Sequence, residues 1–179
     1  MIVAGGGAAG LSASIFLARA GLDVAVFDRA ESSLRRVEKV YTYLGFPDGV
    51  GGAELLALGR RQAERFGAVV FDERIEAVVP YGDEFNVSAA GVVHVSTYFV
   101  LASNKRTDLA VSLGLPLGGF GEKFVAADPN GATAVERCYA AGRITGLPSQ
   151  AVISAGDGAK VAISIVQAIR GGYYVDHDT

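Results

Sequence analysis

The sequence predicts an α/β fold: a central parallel sheet covered by helices, with a small antiparallel β-meander. Three observations predict it. The first 28 residues run strand, glycine turn, helix, strand and then an acid. Apolar segments of strand length alternate with helical patterns as far as residue 71. After residue 72 the pattern changes to short, partly alternating segments separated by turn residues.

Met1-Ile2-Val3-Ala4 reads as a short buried strand, and Gly5-Gly6-Gly7-Ala8-Ala9-Gly10 follows it without a spacer. From Gly10 to Ala20, Leu11, Ile15, Leu17 and Ala18 recur at helical spacing, with Gly21 as the stop. Asp23-Val24-Ala25-Val26-Phe27 is the second strand and ends on Asp28. Residues 29 to 50 have no periodicity and contain Gly45-Phe46-Pro47-Asp48-Gly49, so they are expected to run over the surface or a ligand. Helical spacing resumes from Gly52 to Phe66, and Ala68-Val69-Val70-Phe71 is a third parallel strand.

The meander is assigned to Arg74–Val79, Glu84–Ser88 and Val92–Ser96. Tyr98 to Ala102 is more continuously apolar and is expected to return to the central sheet. A loop-rich stretch from Ser103 to Gly131 is broken by a short helix near Asp108 to Leu113. Cys138-Tyr139-Ala140-Ala141 is the last strand, and the final helix is expected to begin around Gly156-Asp157-Gly158 and to reach Gly171-Gly172. No repeat or flexible linker divides the chain, so residues 1–179 are expected to form one domain.

Composition narrows the function. The formal net charge is −3 and the 16 basic residues are dispersed, which argues against a nucleic-acid partner. The one cysteine excludes an intrachain disulfide framework and a self-contained dithiol centre, and a cytoplasmic location is the expectation. No stretch approaches the roughly 20 apolar residues of a membrane span, and the first strand begins at residue 2, so neither membrane association nor a signal peptide is expected.

Gly5, Gly7 and Gly10 match GxGxxG. The first glycine allows a tight turn, the second a close approach of backbone to a pyrophosphate, and the third close packing of helix on sheet. The helix start supplies the positive end of a dipole, and Asp28 stands where an acid accepts hydrogen bonds from ribose hydroxyls. These features predict a Rossmann-like dinucleotide site. They do not choose between nicotinamide and flavin.

The choice comes from resemblance. The glycine turn, Tyr43-Leu44-Gly45-Phe46-Pro47, Arg61-Gln62-Ala63-Glu64-Arg65-Phe66-Gly67-Ala68, Ala140-Ala141-Gly142 and the run from Gln150 to Lys160 together resemble the thioredoxin reductase family of pyridine nucleotide-disulfide flavoproteins. The matches touch nearly the whole chain in the family's order. The resemblance implies FAD. By position it implies that Gly5, Gly7 and Gly10 hold the pyrophosphate and that Asp28 faces the adenosine ribose, with Ala8, Ala9 and Arg29 also in the cofactor-binding set. Ala102, Gly142, Arg143, Gln150, Ala151 and Val152 complete the cofactor set by the same resemblance, with Ala151 and Val152 near the ring through their backbone. Gly156, Asp157 and Ala159 would belong to a helix N-terminus aimed at the flavin pyrimidine, unless Asp157 is an ordinary N-cap. Gln150 can equally be a solvent-facing loop residue.

Three departures from the family pattern matter. The NADPH domain that the family inserts after the strand corresponding to Val100-Leu101-Ala102 is missing, because Ala102-Ser103-Asn104 leads within a few residues to Lys105-Arg106-Thr107-Asp108-Leu109. The redox-active cysteine pair goes with it. Arg143 stands where the family places an aspartate on the ribityl chain; it can reach the FAD phosphates, place charge near the ring, or point to solvent. The family's glycine-glycine-glutamine loop is replaced by Ala30 to Val37.

The expected function is a single-domain FAD oxidoreductase or electron-transfer protein reduced by an external donor, acting as a homodimer or with a separate redox partner. The alternative is a regulatory protein that binds FAD or another adenine dinucleotide without turnover. No catalytic residue is assigned. Cys138 is expected to be buried and structural, and His94 and His177 form no metal constellation. Tyr173-Tyr174 is expected to pack back on the domain or form a subunit contact, and Asp176 to Thr179 to fray.

Overall fold

The computed structural model of the chain describes residues 1–175, so the expected frayed tail and His177 lie outside the described residues. The first half runs β1 (Ile2–Ala4), α1 (Ala8–Arg19), β2 (Ala25–Phe27), α2 (Gly52–Arg65) and β3 (Val69–Phe71). Next come β4 (Ile75–Tyr81), β5 (Glu84–Ala89), β6 (Val92–Ser96) and β7 (Phe99–Leu101). The chain then continues through α3 (Asp108–Ser112), β8 (Leu117–Gly118), β9 (Phe124–Val125), β10 (Cys138–Ala140) and α4 (Ala151–Arg170).

The central sheet has the order β10-β7-β1-β2-β3 and is parallel throughout. Strand periodicity divides its side chains between two cores. Ile2, Ala4, Phe99, Leu101, Cys138 and Ala140 face a core shared with the meander and α3. Val3, Val26 and Val100 face the opposite way, against Ala13 and Leu17 of α1 and Val161, Ile165 and Val166 of α4. Full burial of side chains such as Phe99, Leu17 and Ile165 contributes about 1.5–3 kcal/mol each.

The meander is antiparallel, with Ile75, Val78, Phe85 and Val87 turned inward and Val79, Val93 and Val95 more than half exposed. Between residues 29 and 50 a 3-10 turn at Ser33–Arg36 and one bridge, Val40 to Val50, give the excursion its only regular structure. The two-stranded pair β8–β9 was not expected; its strands have two residues each, too few for periodicity to register.

One expected boundary is corrected. The last helix begins at Ala151, five residues before Gly156. Glycines discourage helix, but this helix continues through Gly156 and Gly158 because it crosses α1 closely: a Cβ on Gly158 would fall on the backbone oxygen of Ala9. Asp157 is consequently not an N-cap but an interior residue. α4 is long and apolar enough, by length and composition alone, to cross a membrane. Its buried face, Val161, Ala162, Ile165 and Val166, belongs to the core.

Candidate functional site

From β1 the chain proceeds to β2 on one side, whereas β7 pairs on the other. Such a reversal of strand order opens a crevice at the C-terminal strand ends, and the glycine turn sits in it. The amide of Gly5 donates to the carbonyl of Phe27 at 2.9 Å, with φ at +114°, and a Cβ there would lie 2.6 Å from the carbonyl oxygen of Ala102. A Cβ on Gly6 would lie 2.6 Å from Cβ of Asp28, and one on Gly10 would fall on the carbonyl oxygen of Gly5. These three glycines are required by the protein's own packing. Gly7 is different: its φ of −79° suits any residue, and a Cβ would meet only Ser32 Oγ, at 3.5 Å.

Two clefts open to solvent on either side of this turn. One, of about 760 Å³, is lined by Gly5, Gly6, Gly7, Asp28, Arg29 and Ile75 among others. The second, of about 600 Å³, is lined by Gly7, Ala8, Ala9, Arg143, Gln150 and Ala151 among others. They share Gly7, Ser32, Ala102 and Asn104, and so form one trough. Gly7 is the N-cap of α1, no side chain caps that helix, and its first turn holds no acid. The first amides of α1 are thus left for an anion. α4 also opens on the trough, at Gln150, with no side-chain cap and no acid in its first turn.

The two clefts differ in charge. Asp28, 8% exposed, accepts the amide of Ala30 at 3.1 Å and faces Arg35 at 3.4 Å. Glu31, Glu73 and Asp108 line the same cleft as Arg29, Arg74, Lys105 and Arg106. Arg106 pairs with Glu31 at 3.2 Å and Asp108 at 2.7 Å, while Asn104 donates to Ser33 at 3.5 Å, so the loops after β2 and β7 meet at the trough. In the second cleft the only charged lining residue is Arg143. Its Nη1 donates to the carbonyl of Leu147 at 2.7 Å and its guanidinium lies 5.1 Å over the Phe124 ring. The side chain is folded back over its own turn and does not extend into solvent.

Of the expected cofactor set, Gly5, Gly7, Ala8, Ala9, Asp28, Arg29, Ala102, Arg143, Gln150 and Ala151 line the trough. Gly10 and Gly142 stand behind it; Gly142, at φ +79°, leaves only 2.6 Å between a Cβ and the Ala9 side chain. Val152, Gly156, Asp157 and Ala159 do not line it. The helix end assigned to residues 156–159 is in fact at 151–154. Asp157 instead accepts the amide of Gly142 at 2.7 Å and pairs with Lys160 at 2.7 Å, tying α4 to the end of β10. Gly6, Ser32, Asn104, Arg74 and Arg106 line the trough without having been expected. Gly6 lay within the glycine run, whereas the others are joined to the site only by topology.

Cys138 is 1% exposed, and burial pushes its thiol up to about 11, which leaves it un-ionised at neutral pH. His94 packs against the stacked pair of Phe27 and Phe71, edge-on to the Phe27 ring. Among the described residues no group of three His, Cys, Asp or Glu is placed to hold a metal ion.

Residues 1–35 match the family model described as an FAD binding domain. A thioredoxin reductase of Streptomyces coelicolor is 35% identical over 120 residues, 65% of this chain and 36% of the relative. That of Aquifex aeolicus is 43% identical over 70 residues, 38% of this chain and 22% of the relative. The chain thus spans about a third or less of the curated relatives it matches. Among solved structures, a thioredoxin reductase from Gloeobacter violaceus superposes with a TM-score of 0.90 at 15% identity, covering 99% of this chain and 96% of that one. An atypical thioredoxin reductase from Desulfovibrio vulgaris gives 0.85 at 20% identity, covering 95% and 97%. By sequence and fold the chain is thus thioredoxin-reductase-like, with an FAD-binding segment at its start.

Proposed function

We propose that the chain forms one FAD-binding domain and works as an electron-transfer flavoprotein or oxidoreductase, reduced by a donor from outside the chain. The observation that carries this reading is Gly7, a glycine the fold does not need, at the junction of two clefts and at an uncapped helix start. The residues fit the cofactor. In this reading Asp28 accepts ribose hydroxyls, the first amides of α1 receive the diphosphate, and the start of α4 faces the ring. When bound, FAD supplies reversible acceptance of two electrons.

The described residues contain one parallel sheet of this type, and the chain has a single cysteine, buried and un-ionised. These facts support external donors and acceptors over an internal NADPH site or dithiol relay. The partner is a second copy or a separate redox protein, and the single free cysteine is consistent with the cytoplasm. The dispersed charge gives no support to nucleic-acid binding, and the buried face of α4 gives none to a membrane role.

An absorption spectrum of the purified chain before and after FAD addition tests the reading. A flavin band that bleaches with dithionite and returns in air is expected; a colourless chain that takes up no FAD refutes it. The same observations about donors favour a second reading, in which FAD or another adenine dinucleotide is a structural or regulatory ligand. Stoichiometric FAD without turnover across NADH, NADPH, disulfide, quinone and oxygen supports that version, and steady oxidation of either nicotinamide rules it out.

A further inference from the structure

Arg143 is the one formal charge among the residues lining the second cleft. Among the described residues it has no carboxylate partner, its Nε is buried without a hydrogen-bond partner, and only Nη1 is engaged, by main-chain carbonyls. Stacking on Phe124 and the bond to Leu147 fix the guanidinium plane. The charge is therefore held in place and uncompensated, beside the uncapped start of α4. At the opposite end of the trough stands Asp28, an acid suited to sugar hydroxyls, and the start of α1 lies between the two ends. A dinucleotide laid with its adenosine sugar at Asp28 and its diphosphate at α1 leaves the flavin half, ribityl chain and isoalloxazine together, for the Arg143 end.

We infer that Arg143 is a positioning residue that favours the reduced, anionic form of the flavin over the oxidised form, and so makes the bound cofactor a stronger electron acceptor. This rests on the FAD reading above. Reduction by two electrons and one proton adds one negative charge to the ring, and a fixed cation at the cleft wall stabilises that charge more than it stabilises the neutral oxidised ring. α4 contributes in the same direction through its amides. Arg143 acts by its field and hydrogen bonds and takes no part in covalent chemistry.

The test uses the full chain loaded with FAD, titrated with dithionite against reference dyes, as wild type, Arg143→Gln and Arg143→Lys. Arg143→Gln is expected to shift the relative affinity for reduced over oxidised FAD by about tenfold, which for a two-electron couple is about 30 mV toward negative potential. Arg143→Lys keeps the charge and is expected to stay closer to wild type. A ratio within twofold of wild type in Arg143→Gln overturns the inference and leaves the FAD reading standing, whereas failure of the wild type to take up FAD overturns both. A second readout needs no variant: the reduced wild-type chain at mildly acidic pH is expected to show the spectrum of the anionic ring, and the spectrum of the neutral ring overturns the inference.

Discussion

Gly7→Ala separates what the fold requires from what the ligand requires. The backbone there, φ −79° and ψ −175°, is open to alanine, and the new methyl would touch only Ser32 Oγ at 3.5 Å. Removing a glycine at a permissive position stabilises a protein by about 0.4–1 kcal/mol through the unfolded chain. Alanine is the poorer N-cap, at a cost of roughly 0.5–1 kcal/mol relative to glycine. The two effects cancel, so the FAD-free melting temperature moves by no more than about 2 °C at roughly 2–4 °C per kcal/mol. The methyl does, however, project into the junction of the two clefts, where a diphosphate must come close to the backbone. A hundredfold loss of FAD affinity, about 2.8 kcal/mol, is expected from a ligand displaced at that point. Saturating FAD at 100 times the dissociation constant raises wild-type stability by about 2.7 kcal/mol, and the same concentration should leave the variant almost unshifted. Thermal denaturation with and without FAD, with a flavin fluorescence titration, measures both quantities. A large fall in FAD-free melting temperature with FAD affinity unchanged would show that Gly7 serves the fold, and the central argument for the site would fail.

Two alanine substitutions in α4 should have opposite signs. Gly156→Ala meets nothing within 4 Å and is expected to stabilise by up to about 1 kcal/mol through helix propensity, while Gly158→Ala presses on the Ala9 backbone and is expected to lose a net of about 2 kcal/mol from overpacking; equal melting temperatures would refute the close crossing of α1 and α4. Asp28→Asn keeps the size of the side chain but removes the charge facing Arg35, and is expected to weaken FAD at least about tenfold, or about 1.4 kcal/mol, by titration; unchanged affinity would remove Asp28 from the ribose site. Cys138 in the native chain is expected to resist alkylation at mildly alkaline pH and to react on unfolding. Its pKa is raised on folding, so the native state holds the proton longer than the unfolded state. Stability is therefore full below the ordinary thiol value of 9.0 and falls as pH climbs toward about 11, by on the order of 3 kcal/mol. Cys138→Ala should flatten that fall, and an unchanged slope would assign it to other groups.

The parts of the fold that the sequence made legible are those in which burial repeats with a period. β1, β7 and β10 lie between two cores and read as unbroken apolar runs, and α2 carries its pattern over 14 residues, which gave the same start at Gly52. β8 and β9 escape because two residues have no period. The glycine turn and Asp28 were legible because their spacing reflects a local requirement, a turn and a helix start within one unit. Ser32, Asn104 and Arg106 were not, since they reach the trough only through the pairing of β2 and β7 with β1, and that pairing is written in no local spacing.

The error over α4 shows where residue-level reasoning needs the tertiary partner. Gly156 and Gly158 look alike in a sequence, and both argue for a helix that starts late. In the structure they are not equivalent: Gly156 faces open space, while Gly158 gives the backbone of Ala9 room to approach. That approach places the uncapped start of α1 beside the uncapped start of α4, with Asp157 accepting the amide of Gly142 just after β10 and so tying that strand end to α4. The small residue is thus a contact of the site although it never lines it. A side chain at position 158 would push the two helix N-termini apart; on the proposed reading, with one at the diphosphate of FAD and the other at its ring, Gly158→Ala is expected to weaken binding without touching the cofactor.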